Sequence, residues 1–438
     1  MTQAGTPLEM LSRLRGLRRP FLLESGSDAD GCGRFSFAGC DPVAVLEWRL
    51  GDGGDPLRLL EQAAAERPCI AVGFLGYGLA SLIEPRVPPQ PDPLGFPELA
   101  FALYDAVWRL DHATGRADIL GPGAAALAER LAAPPASPAT LRVGPLSTRL
   151  DAREHARRLG RILEYIHAGD VYQVNLTHRL CARAQGDPAA LYEAVRRFGA
   201  PFGAYLDLGA GRTLVANSPE RFLHARAGRI ESRPIKGTRA PGPGAADALA
   251  ADPKERAEHV MIVDLVRNDL GRVCKTGTVA VDGLFRVVRY PTLHHMISTV
   301  AGVPRAGLGL ADLLHATFPG GSITGAPKVR AMQIIAELEP EPRGLYTGAF
   351  GRIGPGPGLD LDLAMAIRTA ACTPGRIDLG VGGAIVADSR PEAEWAESLL
   401  KARAFALALG DLASLVIERD DADGQGSGPD VCVDVGAQ

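Results

Sequence analysis

Two pairs of glutamates carry the first chemical signal in this sequence. Glu255 and Glu258 stand three residues apart, and so do Glu394 and Glu397. In a helix that spacing puts both carboxylates of a pair on one face. Four carboxylates with no accompanying histidine or thiolate suit a hard, oxygen-preferring cation such as Mg²⁺, which keeps part of its water shell. The same residues also have ordinary readings. Glu255 follows Asp252-Pro253-Lys254 at a capping position, and Glu397 lies one helical turn before Lys401. Spacing alone leaves both readings open.

A second segment, Phe318-Pro319-Gly320-Gly321-Ser322-Ile323-Thr324-Gly325-Ala326-Pro327-Lys328, runs into a helix start. Its glycines free backbone N–H groups to face an anion, and Lys328 adds charge. It is not a P-loop, because Ala326-Pro327 separates Gly325 from Lys328. A glycine-rich turn with a surface lysine is the plain alternative. A third segment, Arg233-Pro234-Ile235-Lys236-Gly237-Thr238-Arg239, sets a lysine at the end of an apolar strand. Taken alone, such a lysine reads as solvated.

The elements that must position these groups are read from periodicity and caps. Strands are predicted at 21–25, 34–39 and 44–48, and alternating segments fill 99–120 around a turn at His112-Ala113-Thr114-Gly115. Residues 122–146 are rich in Ala, Pro and Gly, with a short surface helix in the middle and a linker at the end. Asp151 with Glu154 opens a helix whose apolar stripe is Leu159, Ile162, Leu163 and Ile166. Strands follow at 171–181, 202–208, 213–216 and 221–231. Residues 241–251 read as a loop, and Asp252-Pro253-Lys254-Glu255 starts a helix running to about Leu270. A helix at 327–337, strands at 347–353, 361–371 and 376–387, and a last helix from Pro391 to Leu409 complete the pattern. No regular βαβ period appears, so the expected class is α+β. The acidic, Gly-rich stretch 419–438 reads as a disordered tail.

Bulk properties narrow the function. The 438 residues exceed what one small core serves. A net charge of −4, from 47 basic and 51 acidic residues, gives no electrostatic footprint for nucleic acid or an anionic membrane. Seven cysteines, none in a C-x-x-C pair, fit a reduced, cytoplasmic setting without a zinc site. The apolar stretch 69–83 is broken by glycines and reads as buried strand and turn, not a membrane span. The N-terminus lacks the apolar run of a secretory signal.

Taken in order, several segments resemble the chorismate-utilising enzymes, which include anthranilate synthase component I, aminodeoxychorismate synthase component I, isochorismate synthase and salicylate synthase. The segments are Leu22-Leu23-Glu24-Ser25, Gly169-Asp170-Val171-Tyr172-Gln173-Val174-Asn175-Leu176, Ser218-Pro219-Glu220-Arg221-Phe222, 234–238, 255–269, His295, 320–328 and 391–401. The resemblance implies a large two-lobed sandwich of antiparallel or mixed sheets with helices outside and the site in a cleft. Residues 1–146 would form its N-terminal segment and 147–418 the chorismate-binding catalytic region. It also implies Mg²⁺ on Glu258 and Glu397, with Glu255 and Glu394 behind them or bridged by water. Glu220 is implied as general acid, Lys236 as nucleophile and His295 as a neighbour of the ring. Tyr346 and Arg368 match positions that hold a substrate carboxylate, and Thr238, Gly325, Lys328, Gly382 and Gly383 complete the implied substrate contacts. Gly382-Gly383-Ala384-Ile385 departs from the family's more usual Gly-Ala-Gly-Ile.

Within the family, anthranilate, isochorismate and salicylate synthases resemble this chain but carry alanine where Lys236 stands. The last two also carry a water-activating lysine where this chain has Gln173. Lys236 with Gln173 and Asn175 therefore resembles the aminodeoxychorismate synthase branch, which aminates chorismate on the way to 4-aminobenzoate and folate. The rival is the anthranilate synthase branch. A non-catalytic ligand-binding paralogue, the alternative of another class, would be expected to lack Lys236 or a carboxylate. No appended glutaminase domain is evident, so a separate glutamine amidotransferase subunit is implied as the ammonia source. Leu23, Glu24 and Ser25 resemble the segment that lines a tryptophan pocket in the family.

Overall fold

A computed structural model describes residues 5–27, 31–290, 293–356, 358–410 and 418–419. The expectation of a disordered tail falls on residues outside these, apart from Arg419 at its start. Among the described residues, strands form a thirteen-stranded and a ten-stranded sheet. The pairings are antiparallel except for a short parallel contact of Glu418–Arg419 with Ser147–Thr148. The long strand Gln173–Gly186 pairs with Arg376–Ile385, from Val174 opposite Ile385 to Arg183 opposite Arg376.

Side-chain alternation builds the layers. In Phe21–Glu24 of the larger sheet, Phe21 and Leu23 join one apolar cluster and Leu22 another. In Ile70–Leu75 of the smaller sheet, Val72 and Phe74 join the cluster of Phe21, while Ala71 and Leu75 meet the helices. The shared cluster is the filling between the sheets. Helices Pro56–Glu66, Pro253–Gly271, Leu310–Thr317 and Lys328–Leu338 bury apolar faces in one outer cluster. Pro7–Leu14, Ala124–Ala132, Ala189–Arg196 and Pro391–Gly410 do so in the other. Both faces of these strands are covered, which gives the long apolar runs seen in the sequence. The molecule is thus an α+β sandwich with helices outside.

Strands from either side of residue 146 are woven together. Phe21–Glu24 pairs with Phe202–Asp207, and Ile70–Leu75 pairs with Ala349–Ile353.

Three segments differ from the sequence reading. Residues 221–231 are not one strand but parts of two, Arg221–Arg226 and Arg229–Arg233, turned at Ala227 and Gly228. The supposed loop 241–251 holds a helix, Ala245–Ala251. Residues 361–371 contain two strands that lie in different sheets, Leu361–Met365 and Thr369–Thr373. The neighbouring strands Thr213–Ser218 and Arg221–Arg226 change sheet in the same way. The two crossings run side by side and are stitched together. Asn217 N–H donates to Arg368 O at 3.0 Å, Met365 N–H to Glu220 O at 3.0 Å, and Ser218 Oγ to Met365 O at 2.7 Å. Glu220 and Arg368 sit at these crossings.

Candidate active site

A cavity of about 640 Å³ opens at the double crossing, a size suited to a small ligand. It is lined by Glu220, Lys236, Thr238, Glu255, Glu258, His295, Tyr346, Arg368, Gly382, Gly383, Glu394 and Glu397, all singled out in the sequence. Elements far apart in the chain supply them.

Lys236 lies on the strand Ile235–Arg239, which pairs with His294–Gly302. Lys236 faces Met296 and Thr238 faces His295, so Gly237 is one extra residue in this strand. Its φ of +82° makes the bulge, a conformation that glycine adopts without strain. A Cβ there would also press within 3.2 Å of Glu255 Oε2. Burial lowers the Lys236 pKa; Lys401 lowers it further, while Glu258, Glu220 and Glu397 oppose. The neutral amine is thereby favoured relative to an exposed lysine.

Glu220 shifts in the complementary direction. Burial raises its pKa to about 7, against the opposing pull of Ser322, Lys236, the Ile235 N–H and Arg368. Ser322 Oγ donates to Glu220 Oε1 at 2.5 Å. Near neutral pH this carboxyl is therefore partly protonated, and the protonated fraction is what general acid chemistry needs. His295 is neutral: burial takes its pKa well below the ordinary value, and Arg368 adds to the effect. The Arg368 guanidinium lies 3.4 Å from His295 Nε2, which leaves Nδ1 as the protonated nitrogen facing Thr238 Oγ1 at 3.0 Å.

Arg368 has a φ of +47°, a costly backbone for a residue with a Cβ, at the crossing beside the cavity. Burial lowers its pKa to about 10. Tyr346 stands against Gly380, where a Cβ would fall 2.1 Å from the ring. Glycine at 380 is thus what admits the ring.

The four carboxylates reach the cavity from two helices. Asp252 caps the first, accepting from Lys254 N–H and Glu255 N–H at 3.0 and 3.3 Å. The carboxylates do not converge into a closed shell, and among the described residues no three His, Cys, Asp or Glu side chains do so. Lysines and a serine stand among them. Lys401 Nζ meets Glu397 Oε1 at 2.8 Å and Gly382 O at 2.9 Å, Lys254 Nζ lies 3.7 Å from Glu258 Oε1, and Ser389 Oγ donates to Glu394 Oε1 at 2.6 Å. The Glu255 pKa is raised to about 6, first by burial and then by Glu258, Glu397 and Asp252. Mutually repelling, half-buried carboxylates are a donor set that a hard dication would relieve, so the residues present fit Mg²⁺.

Two of the sequence-predicted residues are placed away from the cavity lining. Lys328 does not line the cavity. Its Nζ is bound to Asp269 Oδ2 at 2.5 Å and to Thr317 O at 3.2 Å. The sequence reading as an anion contact therefore gives way to a buried ion pair. Gly325 is likewise absent from the lining and pairs with Val174 in a two-residue strand. Its place in the segment is structural: a Cβ would lie 2.1 Å from Gln173 O. The part of the glycine-rich segment that does reach the cavity is Ser322 and Ile323.

Sequence reasoning missed Ser322, Thr177 and Lys401 in the lining. It also missed the buried pair of Arg343 with Glu339 beneath them. Arg343 donates to Ile323 O at 2.8 Å and Asn175 O at 3.0 Å, while Glu339 accepts from Thr177 N–H at 2.9 Å. The pair fixes the strand and the loop that wall the cavity. In the sequence it is one more i,i+4 acid–arginine pair, indistinguishable from a surface one.

Leu23, Glu24 and Ser25 line a different cavity of about 320 Å³, with Phe35, Phe37, Phe202, Phe350, Arg221 and Glu231 among its neighbours. The Glu24 carboxylate is held by Tyr192 Oη at 2.5 Å and by Arg196 at 2.5 and 2.9 Å.

Comparison with known proteins agrees with this geometry. Residues 28–407 match the family described as chorismate binding enzyme. Aminodeoxychorismate synthase component 1 of Klebsiella aerogenes is 38% identical, the alignment covering 87% of this chain and 91% of the relative. Anthranilate synthase component 1 of Streptomyces coelicolor is also 38% identical, over 89% of this chain and 83% of the relative. The crystal structure of anthranilate synthase component I from Streptococcus pneumoniae superposes with a TM-score of 0.78 at 29% identity, covering 85% of this chain and 92% of the other. A sandwich of this topology and a family match spanning most of the sequence lead to one conclusion: the chain belongs to the chorismate-binding enzymes.

Proposed function

We propose that this enzyme aminates chorismate with ammonia, giving 4-amino-4-deoxychorismate with the enolpyruvyl side chain retained. One observation carries the reading: Lys236 and Glu220 line the same cavity, with the lysine pKa lowered and the carboxyl raised to about 7. A nucleophile and an acid are each biased toward the form that the reaction consumes.

Glu258 and Glu397, with Glu255 and Glu394 beside them, would hold Mg²⁺, which when bound neutralises a substrate carboxylate and orients the ring. Arg368 and Tyr346 line the same cavity and suit the second carboxylate. Glu220 gives its proton to the 4-hydroxyl as the carbon 4–oxygen bond breaks, so water leaves in place of hydroxide. The Lys236 amine forms a bond to ring carbon 2 in the same step. An unperturbed lysine is neutral in only about one part in 2,500 at pH 7, so the lowered pKa of Lys236 matters directly. Ammonia then bonds to carbon 4 as the carbon 2–nitrogen bond breaks and Lys236 returns as an amine. Glu220, now a carboxylate, takes up a proton for the next turnover.

The ammonia source is a separate glutamine amidotransferase subunit, with ammonium as its substitute in vitro. The designation of the Klebsiella aerogenes relative as a component 1 supports a two-subunit arrangement. Anthranilate formation is the second reading, favoured by the equal identity to the Streptomyces coelicolor relative. Lys236 counts against it. Mass analysis of the product from chorismate, Mg²⁺ and ammonium separates the two. A product retaining the enolpyruvyl group is expected, and released pyruvate with anthranilate would overturn the proposal.

A further inference from the structure

The buried ion pair of Asp269 and Lys328 has no part in the chemistry so far. Asp269 is on the helix Pro253–Gly271, and Lys328 begins the helix Lys328–Leu338. Lys328 Nζ binds Asp269 Oδ2, and Arg272 donates to Asp269 Oδ1 at 2.8 Å. Asp269 is 4% exposed, so an ion pair here costs desolvation and is weak as a stabilising device.

A second, small cavity of about 20 Å³ is lined by both Asp269 and Glu220. Glu220 and Ser322 line both this cavity and the large one, so they form the wall between the two. Asp269, Thr317 and Ser232 also line the small cavity. Its volume suits one water molecule, and the lining offers that molecule several polar partners. Apolar Phe222, Leu223, Val266, Leu270 and Met365 also line it and keep the local dielectric low.

Resting on the reading of Glu220 as general acid, we propose that Asp269 and Lys328 are positioning residues that act on Glu220 through a single water in this cavity. The water bridges the back of the Glu220 carboxyl to Asp269. The ion pair balances the charge behind the acid, and the bridge offers a path for returning a proton while substrate fills the large cavity. Glu220 meets Lys236, Arg368 and Ser322 on its other sides, and Asp269 meets Lys328 and Arg272.

The proposal makes two variants move one titration in opposite directions. Asp269→Asn removes a negative charge and leaves Lys328 and Arg272 behind the acid, which favours the Glu220 carboxylate. Lys328→Met leaves Asp269 under-neutralised, which favours the protonated form. The expected shifts of the Glu220 titration are about one pH unit each, downward for Asp269→Asn and upward for Lys328→Met. They are read in the ligand-free protein by infrared difference spectroscopy of the carboxyl stretch, with Glu220→Gln identifying the band. The alkaline limb of the pH–rate profile should move in the same two directions, and Lys328→Arg should restore the wild-type titration. Unmoved or like-signed shifts in folded variants would overturn the proposal. If Asp269→Asn and Lys328→Met do not fold, the wild-type protein still decides: the absence of an exchange-protected water in the cavity by solvent-isotope infrared difference refutes the water bridge. The spectroscopic titration does not depend on which product forms, so its failure is distinguishable from a failed product assignment.

Discussion

Charge is organised differently in the cavities of Lys236 and of Leu23. Around the cavity of Leu23, the charged groups are matched. Arg221 lies 2.9 Å from Glu231 and 3.1 Å from Asp362, Arg34 lies 3.0 Å from Asp111, and Arg352 lies 3.0 Å from Asp360. In the cavity of Lys236, carboxylates crowd one another around two lysines, burial lifts the Glu220 pKa to about 7, and the Arg368 guanidinium is set against a neutral imidazole. Charges that already have partners fix structure. Charges whose burial is only partly compensated have pKa values moved from their ordinary range. The difference separates a region built to hold its shape from one built to react.

Removing Lys236 should have the largest effect on chemistry and the smallest on folding. Lys236→Ala is expected to lower formation of 4-amino-4-deoxychorismate by roughly three orders of magnitude or more, with anthranilate-like chemistry as the only residual route. Its melting temperature should equal or exceed that of the wild type, because the desolvation that burial imposes on the lysine is gone. Wild-type turnover in this variant, measured by product mass, would remove the nucleophile from the mechanism.

The opposite outcome is expected across the sandwich. Glu231→Gln leaves Arg221 buried with only Asp362 as a close carboxylate partner. Breaking a buried pair from one side costs about 3 kcal/mol, visible as a lower urea midpoint with kcat for the folded fraction unchanged. Equal stability losses from Lys236→Ala and Glu231→Gln would erase the distinction between the cavities.

Glu220→Gln tests the same contrast through pH. The folded protein holds the Glu220 proton to about pH 7, whereas an unfolded chain releases it near 4.3. The contribution to stability is therefore complete below about pH 4 and is lost as pH rises through 7. The amide cannot ionise, so the variant should melt about 2–4 °C higher than the wild type at pH 8 and show no such gain at pH 4.5. Turnover should fall about 10²-fold. A destabilised variant at pH 8 would show that the carboxylate is paired after all.

How far the sequence reached follows from the same contrast. Caps and stripes are local, and they predicted the helices after Asp151 and Asp252, both observed with the aspartate side chain on the expected N–H groups. The helical spacing of the glutamates was equally legible. The crossings at Glu220 and Arg368 were not, because a strand buried on both faces stays apolar whichever sheet it joins. Residues 361–371 therefore read as one strand, although the break at Arg368 is what builds the site. Lys328 was misplaced for a related reason. A lysine at a helix start has the same sequence signature whether it meets a ligand or Asp269, and the choice depends on a residue 59 positions away.

The smallest expected effect concerns the matched cavity itself. Phe35, Phe37, Phe202 and Phe350 give it an aromatic lining beside the matched charges of Arg34, Glu231 and Asp362. If tryptophan binds there, a concentration of ten times its Kd adds only about 1.4 kcal/mol to stability. A region built to hold its shape should register that gain as a higher melting temperature with an unchanged rate. A falling rate would instead mean that the two cavities communicate through the sheet crossings. An unmoved melting temperature at millimolar tryptophan would mean that the matched charges and the aromatic side chains serve the fold alone. In each case the Glu24 carboxylate, already bound by Tyr192 and Arg196, is expected to stay where it is, so Arg196→Met should lower stability without changing any tryptophan response.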